Sequence, residues 1–243
     1  MKSKYNILSI LKKHIPNIIT CCNLLSGCVA TTFAFAGNMK WALLWIVIGA
    51  VFDFFDGMTA RLLNVSSPIG KELDSLADDI TFGLAPATMV FAELCVVDYP
   101  AMLAPWSSYI PYFAFLIAAF SALRLAKFNI DERQTTSFIG LPTPANALFW
   151  GSLLAGSPQL VENSRFALPL LLVMVCLSSW LLVCELPMFA LKFKHWGVKG
   201  NELKYGFVVL CAILLLCFGI SGFWMIVLLY IFISFISYSY LKK

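Results

Sequence analysis

Four aspartates, Asp53, Asp56, Asp74 and Asp78, are the residues best suited to do chemistry. They fall within one stretch, DFFDGMTARLLNVSSPIGKELDSLAD, residues 53–78. The segments around them are apolar enough to cross a bilayer. There an Asp costs roughly 2.5–3.5 kcal/mol on insertion scales unless a partner or a water-filled cavity receives it. Spacing gives the four a joint use. Asp53 and Asp56 are three apart and Asp74 and Asp78 four apart, so on helices each pair projects from one face. Two such helices packed face to face bring four carboxylates to one point, where they repel unless cations sit among them. All-oxygen ligation suits a hard ion, Mg²⁺ or Mn²⁺, and Mg²⁺ is held by a few carboxylates plus substrate phosphates. Gly57, Ala60 and Gly70 each lie one turn from an aspartate and clear space beside it. Arg61, two turns after Asp53, is placed to take a phosphate by a bidentate contact. The bland alternative is two helices with chance polar residues, and the membrane cost weighs against it.

The pattern Asp53-x2-Asp56-Gly57-x2-Ala60-Arg61-x8-Gly70-x3-Asp74-x3-Asp78 resembles in full the signature of the CDP-alcohol phosphatidyltransferases. The resemblance implies a CDP-linked lipid substrate whose phosphatidyl group passes to an alcohol, with release of CMP. It implies that Asp53, Asp56, Asp74 and Asp78 ligate two divalent metals. Asp78 is then the base that takes the proton from the incoming hydroxyl. Gly57, Ala60, Arg61, Ser67 and Gly70 are implied as contacts of the CDP-lipid. Asp79 lies about 100° round the helix from Asp78 and is expected in an outer shell or polar cavity.

Three further stretches resemble the branch of that family that uses L-serine, with CDP-diacylglycerol as donor. They are Pro16–Asn23, Gly70–Asp78, and Arg124–Asn129 with Gly140–Ala145. The likeness covers most of residues 16–150 and fades in the last three spans. Asn17, Thr20 and Asn23 sit at helical spacing and either line the cytidine pocket or make interhelical hydrogen bonds. Arg124 and Lys127, one turn apart, either bind the serine carboxylate or snorkel to lipid phosphates; Asn129 follows them as a third candidate. Glycerol 3-phosphate, inositol and choline stay open as acceptors. The other class open is a cation transporter, since intramembrane carboxylates also mark ion paths, but no duplicated motif accompanies these.

The elements that must carry these residues are read from composition. The chain has 243 residues, 60% hydrophobic and 12% charged, with a mean hydropathy of +0.86. Soluble domains are about 25% charged, so an all-α integral membrane protein is expected: a bundle of about eight spans. These run near 18–36, 41–63, 70–97, 108–128, 145–154, 166–189, 205–220 and 222–240. Residues 1–15 are expected to form an interfacial amphipathic helix without a cleavable signal, and 16–243 a single transmembrane catalytic domain. Pro16 opens the first span. Residues 64–69 form a tight connection, and 129–137 and 191–204 are polar or basic loops.

The eight cysteines contain no CxxC and read as small buried hydrophobes, neither disulfides nor metal ligands. His14 and His195 are expected at the interface without a catalytic role. The net charge of +4 is no nucleic-acid signature, because position explains it better. Of the 17 lysines and arginines, all but Lys40 and Arg165 fall on the N-terminal side of the eight-span layout. That predicts cytoplasmic termini and a cytoplasmic site in the cell (inner) membrane. The family resemblance also implies a homodimer.

Overall fold

The computed structural model describes residues 2–131, 139–162, 166–188, 197 and 201–241. Among them the chain is helical, with β structure limited to one isolated bridge between Ile139 and Pro187. Helix α1 (Lys2–Phe35) runs through Pro16 without a break, where the sequence expects a helix start. A proline inside a helix removes one backbone donor, and the Thr20 hydroxyl lies 3.1 Å from the Pro16 carbonyl. Of the expected interfacial helix, residues 1–15, the side chains of 1–13 lie outside the description. Gly37 at φ +72° and the Asn38 cap then turn the chain into α2 (Met39–Leu63).

The turn after α2 is built from specific residues. Asn64 adopts the left-handed conformation at φ 51°, which Asn tolerates better than most residues. Ser67 caps α3 (Pro68–Asp78), its Oγ accepting the Gly70 N–H at 2.9 Å, with Pro68 in the first helical position. This short connection, as expected, turns the chain so that the aspartates of α2 meet Asp74 of α3. A π-helical turn, Asp79–Leu84, joins α3 to α4 (Ala85–Val96). Thr81 in that turn packs against both α1 and α2. A Cβ on Gly27 would lie 2.7 Å from the Thr81 Cα, and one on Gly49 would lie 2.5 Å from the Thr81 methyl. Small residues at such crossings let backbones approach in a membrane, where packing drives helix association.

A 3-10 stretch, Ile110–Phe115, leads into α5 (Leu116–Ile130), its Phe115 stacked on Phe91 at 5.3 Å. Helix α6 (Thr143–Gly156) lies inside the bundle, with Trp150 buried and donating to Ser178 Oγ of α8 (Ala167–Val183) at 3.1 Å. The single turn α7 (Gln159–Glu162) connects them. Helices α9 (Glu202–Phe218) and α10 (Gly222–Leu241) form a hairpin around Gly219 at φ +55°. It docks on α6 through Ser157, Ser221 and Trp224.

Five described segments are long and apolar enough to cross a membrane: His14–Phe35, Met39–Leu62, Pro68–Val96, Ile110–Ile130 and Glu202–Tyr238. The last contains both α9 and α10. The chain is therefore a multi-pass membrane protein, but length and apolarity do not return the count of eight spans. The expected fifth and sixth spans are α6, with 14 residues, and α8, with 17. At 1.5 Å per residue α6 reaches about 21 Å, short of a ~30 Å hydrocarbon core. The expected loops over 129–137 and 191–204 lie largely outside the described residues, as does His195; His14 is exposed.

The cysteines correct the sequence reading. All eight are free and none is fully buried; Cys21, Cys28, Cys95, Cys176 and Cys217 are exposed. In a bilayer the outer face of a helix is apolar too, as Phe54, Leu62 and Leu216 show, so a hydrophobic cysteine need not face inward.

Candidate active site

Helices α2 and α3 bring the aspartates together as their spacing requires. Ligand oxygens of Asp53, Asp56 and Asp74 all lie within 4.8 Å of one another. The Asp53 side chain meets those of both Asp74 and Asp78, so the fourth carboxylate joins the group from the next turn of α3. These are hard oxygen donors clustered at one point, and they fit a divalent cation.

Beside them opens a cavity of about 270 Å³. Helix α1 contributes Pro16, Asn17 and Thr20 to its wall, and α2 contributes Asp56, Gly57 and Ala60. The connecting turn adds Val65, Ser66 and Ser67, and α3 adds Gly70, Lys71 and Asp74. A Cβ on Gly57 would touch nothing within 4 Å, so the space next to Asp53 and Asp56 is open for a ligand. Gly70 differs. A Cβ there would sit 3.0 Å from both Asn17 Oδ1 and Ser67 Oγ, so its bareness lets α1 approach α3.

Helix α1 braces the carboxylates from behind. The Thr20 hydroxyl donates to Asp56 Oδ2 at 2.5 Å, and Asn23 Nδ2 donates to Asp78 Oδ1 at 3.1 Å. Both residues are buried. Asn17 and Thr20 thus reach the cavity, while Asn23 is absent from its wall and grips an aspartate instead. Arg61 is also not on the wall. It is exposed, its Nε donating to the Gly57 carbonyl at 3.0 Å. The cation that does line the cavity is Lys71, which sequence reasoning passed over. Its signal was position, one residue after Gly70 of the motif.

The α5 candidates separate. Arg124 is buried, 7% exposed, with its guanidinium 6.0 Å from the Phe128 ring and its Nε without a hydrogen-bond partner. Its charge lies within electrostatic range of Asp78 and of Tyr230 from α10. Tyr230 was invisible in the sequence, since the last spans carry only general apolarity. Lys127, one turn on, is exposed. Asn129 works as a clasp: its amide donates to Ser75 Oγ at 2.8 Å, and its carbonyl accepts from Lys71 Nζ at 2.7 Å. Asp79 begins the π turn with one buried oxygen lacking a partner, and sits by Gly83 and Ser121 rather than in the cavity.

Comparison with known proteins gives this arrangement a setting. The family model described as CDP-alcohol phosphatidyltransferase matches residues 13–191. The chain is 33% identical over 190 residues to the CDP-diacylglycerol–serine O-phosphatidyltransferase of Bacillus subtilis (strain 168), covering 78% of this chain and 94% of that protein. It is 29% identical over 227 residues to the protein of the same name from Mycobacterium leprae, covering 89% of this chain and 72% of the relative. With the one from Saccharomyces cerevisiae it shares 34% over 147 residues, 54% of this chain and 50% of the relative. The transporter alternative finds no support among these transferases. With its eight motif positions intact and the matched region spanning the whole carboxylate site, the chain belongs to the CDP-alcohol phosphatidyltransferase family.

Proposed function

We propose that this protein transfers the phosphatidyl group of CDP-diacylglycerol to the hydroxyl of L-serine, forming phosphatidylserine and CMP. The observation that carries the reading is the convergence of Asp53, Asp56 and Asp74 within 4.8 Å beside the cavity. Serine as acceptor is supported by the names of the relatives and by a buried cation, Arg124, in electrostatic range of Asp78.

The family uses divalent metals; Asp53, Asp56, Asp74 and Asp78 are the residues that would hold them, two Mg²⁺ or Mn²⁺ ions in this proposal. When bound, such ions neutralise the diphosphate charge and make its phosphorus open to attack. The protein's own part is mainly positioning. Gly57 and Ala60 leave room for the CDP group against α2, Ser67 and Gly70 shape its edge, and Lys71 meets phosphate charge. Arg61 can leave the exposed Gly57 carbonyl to join it. Arg124 binds the serine carboxylate, and Asn129 holds the loop end of α5 against α3. Asp78 takes the hydroxyl proton as the serine oxygen forms its bond to the β-phosphorus, next to the diacylglycerol. The bond from that phosphorus to the oxygen bridging the two phosphates breaks, and CMP leaves with the electron pair.

The site lies at the α2–α3 turn, on the cytoplasmic side of the cell membrane in this proposal, where lipid and soluble substrates both reach it. Assembly as a homodimer, implied by the family, belongs to the same reading. An acceptor screen tests it. Purified protein with CDP-diacylglycerol and Mg²⁺ or Mn²⁺ should release CMP fastest with serine. Faster release with inositol, glycerol 3-phosphate or choline overturns serine as the acceptor while leaving the family chemistry intact.

A further inference from the structure

Asn23 occupies a position that a substrate contact does not explain. Its side chain is fully buried. Only its amide nitrogen can face a carboxylate, and that nitrogen donates to Asp78 Oδ1. The other end, Oδ1, is a buried acceptor with no partner. It is wedged against α2, since a Cβ on Gly49 would lie 2.9 Å from it. The backbone is pinned as well. Thr81, in the π turn just beyond Asp78, donates its hydroxyl to the Asn23 carbonyl at 3.0 Å. Asn23 and Asp78 are therefore tied twice, once by side chains and once through Thr81. A buried acceptor without a partner calls for an explanation, and a functional placement of the residue's other end is one. A π turn next to a working residue fits the same pattern.

We infer that Asn23 is a positioning residue: with Thr81 behind it, it fixes the Asp78 carboxylate by one oxygen and so sets the direction from which that carboxylate meets the acceptor's proton. It acts on the chemical step and not on nucleotide binding. This rests on the proposed role of Asp78 as base, and the test separates the two.

Full-length Asn23→Ala, Thr81→Val, Asp78→Asn and the Asn23→Ala/Asp78→Asn pair are compared by CMP release and by thermal-shift titration with CDP-diacylglycerol. Asn23→Ala should lower kcat by at least about 10-fold, the scale seen when groups that orient a ligand are lost. KM and the dissociation constant for CDP-diacylglycerol should stay within about twofold of wild type, because the cavity wall is untouched. In the Asp78→Asn background the same change should cost nothing further, as for two residues that act as one unit. Thr81→Val keeps the shape and loses the hydroxyl, so it should show a smaller kcat loss at unchanged KM. It also carries the test if Asn23→Ala does not fold. Weaker CDP-diacylglycerol binding with kcat retained, losses that multiply in the pair, or an unaltered kcat in Thr81→Val would each overturn the role of Asn23. Full turnover by Asp78→Asn alone would instead remove Asp78 as the base.

Discussion

Individual side chains divide here between those that meet substrate and those that hold them. Asp78→Asn removes the proposed base and should lower turnover by at least about 10²-fold, the usual scale for general-base loss. CDP-diacylglycerol binding should fall much less, since Asp56, Gly57 and Asp74 still form the cavity wall; comparable losses in both would contradict the assignment. Thr20→Val deletes the donor 2.5 Å from Asp56 while keeping bulk. Outer partners of metal-binding carboxylates are worth about 10–100-fold in metal affinity or activity. The Mg²⁺ concentration for half-maximal CMP release should therefore rise by about 10-fold, and an unchanged titration would show that Thr20 only packs. The aspartates were legible in the sequence because i, i+3 and i, i+4 spacings fix a shared helix face before any tertiary contact forms. For Asn23 the sequence offered an interhelical hydrogen bond without its partner, and for Arg61 a phosphate contact without the pose its side chain takes here. Asn23 is separated from Asp78 by 55 residues, and no local rule says that its amide reaches α3. Arg61 has the spacing for a phosphate, but an exposed flexible side chain takes the nearest carbonyl.

At the scale of elements, Gly27 of α1 and Gly57 of the motif on α2 do opposite things. Gly27 is packing: a Cβ there meets the Thr81 backbone, 2.7 Å from Cα and 2.9 Å from N, and backbone cannot swing aside. Gly27→Ala should destabilise the protein by about 1–3 kcal/mol, the range for overpacking, seen as a lower Tm. Gly57 faces open space. Gly57→Ala costs little helix stability, since Ala is the better helix former; Tm should hold or rise while KM for CDP-diacylglycerol increases. A drop in Tm for Gly57→Ala with KM unchanged would contradict the cavity assignment. The turn between α2 and α3 was readable from Asn64, Ser67 and Pro68, whose backbone chemistry is local. The π turn was not, because Asp79–Leu84 continues an apolar helical pattern and no local residue marks the widening. Pro16 misled for a related reason: local chemistry makes it a helix opener, whereas α1 continues through it.

For the whole molecule, membrane character was plain in composition, but the number of crossings was not. Apolarity cannot tell a helix buried in a bundle, such as α6, from one that meets lipid on all sides. The proposed orientation, argued from charge alone, has a direct check. In a cysteine-free variant, Ile69→Cys on the α2–α3 turn should resist impermeant thiol reagents added outside cells, and Met102→Cys at the opposite end should react; both positions are exposed, 75% and 84%. The reverse labelling would place the site outside. The central claim, that the converging aspartates work with divalent metal on a CDP-lipid, is tested most directly by metal removal from the purified, folded protein. With CDP-diacylglycerol and serine supplied, chelation should abolish CMP release, and added Mg²⁺ or Mn²⁺ should restore it in wild type. Asp53→Asn and Asp74→Asn should stay inactive with metal present although folded. Undiminished CMP release from the metal-free protein, or from either variant, would contradict the account.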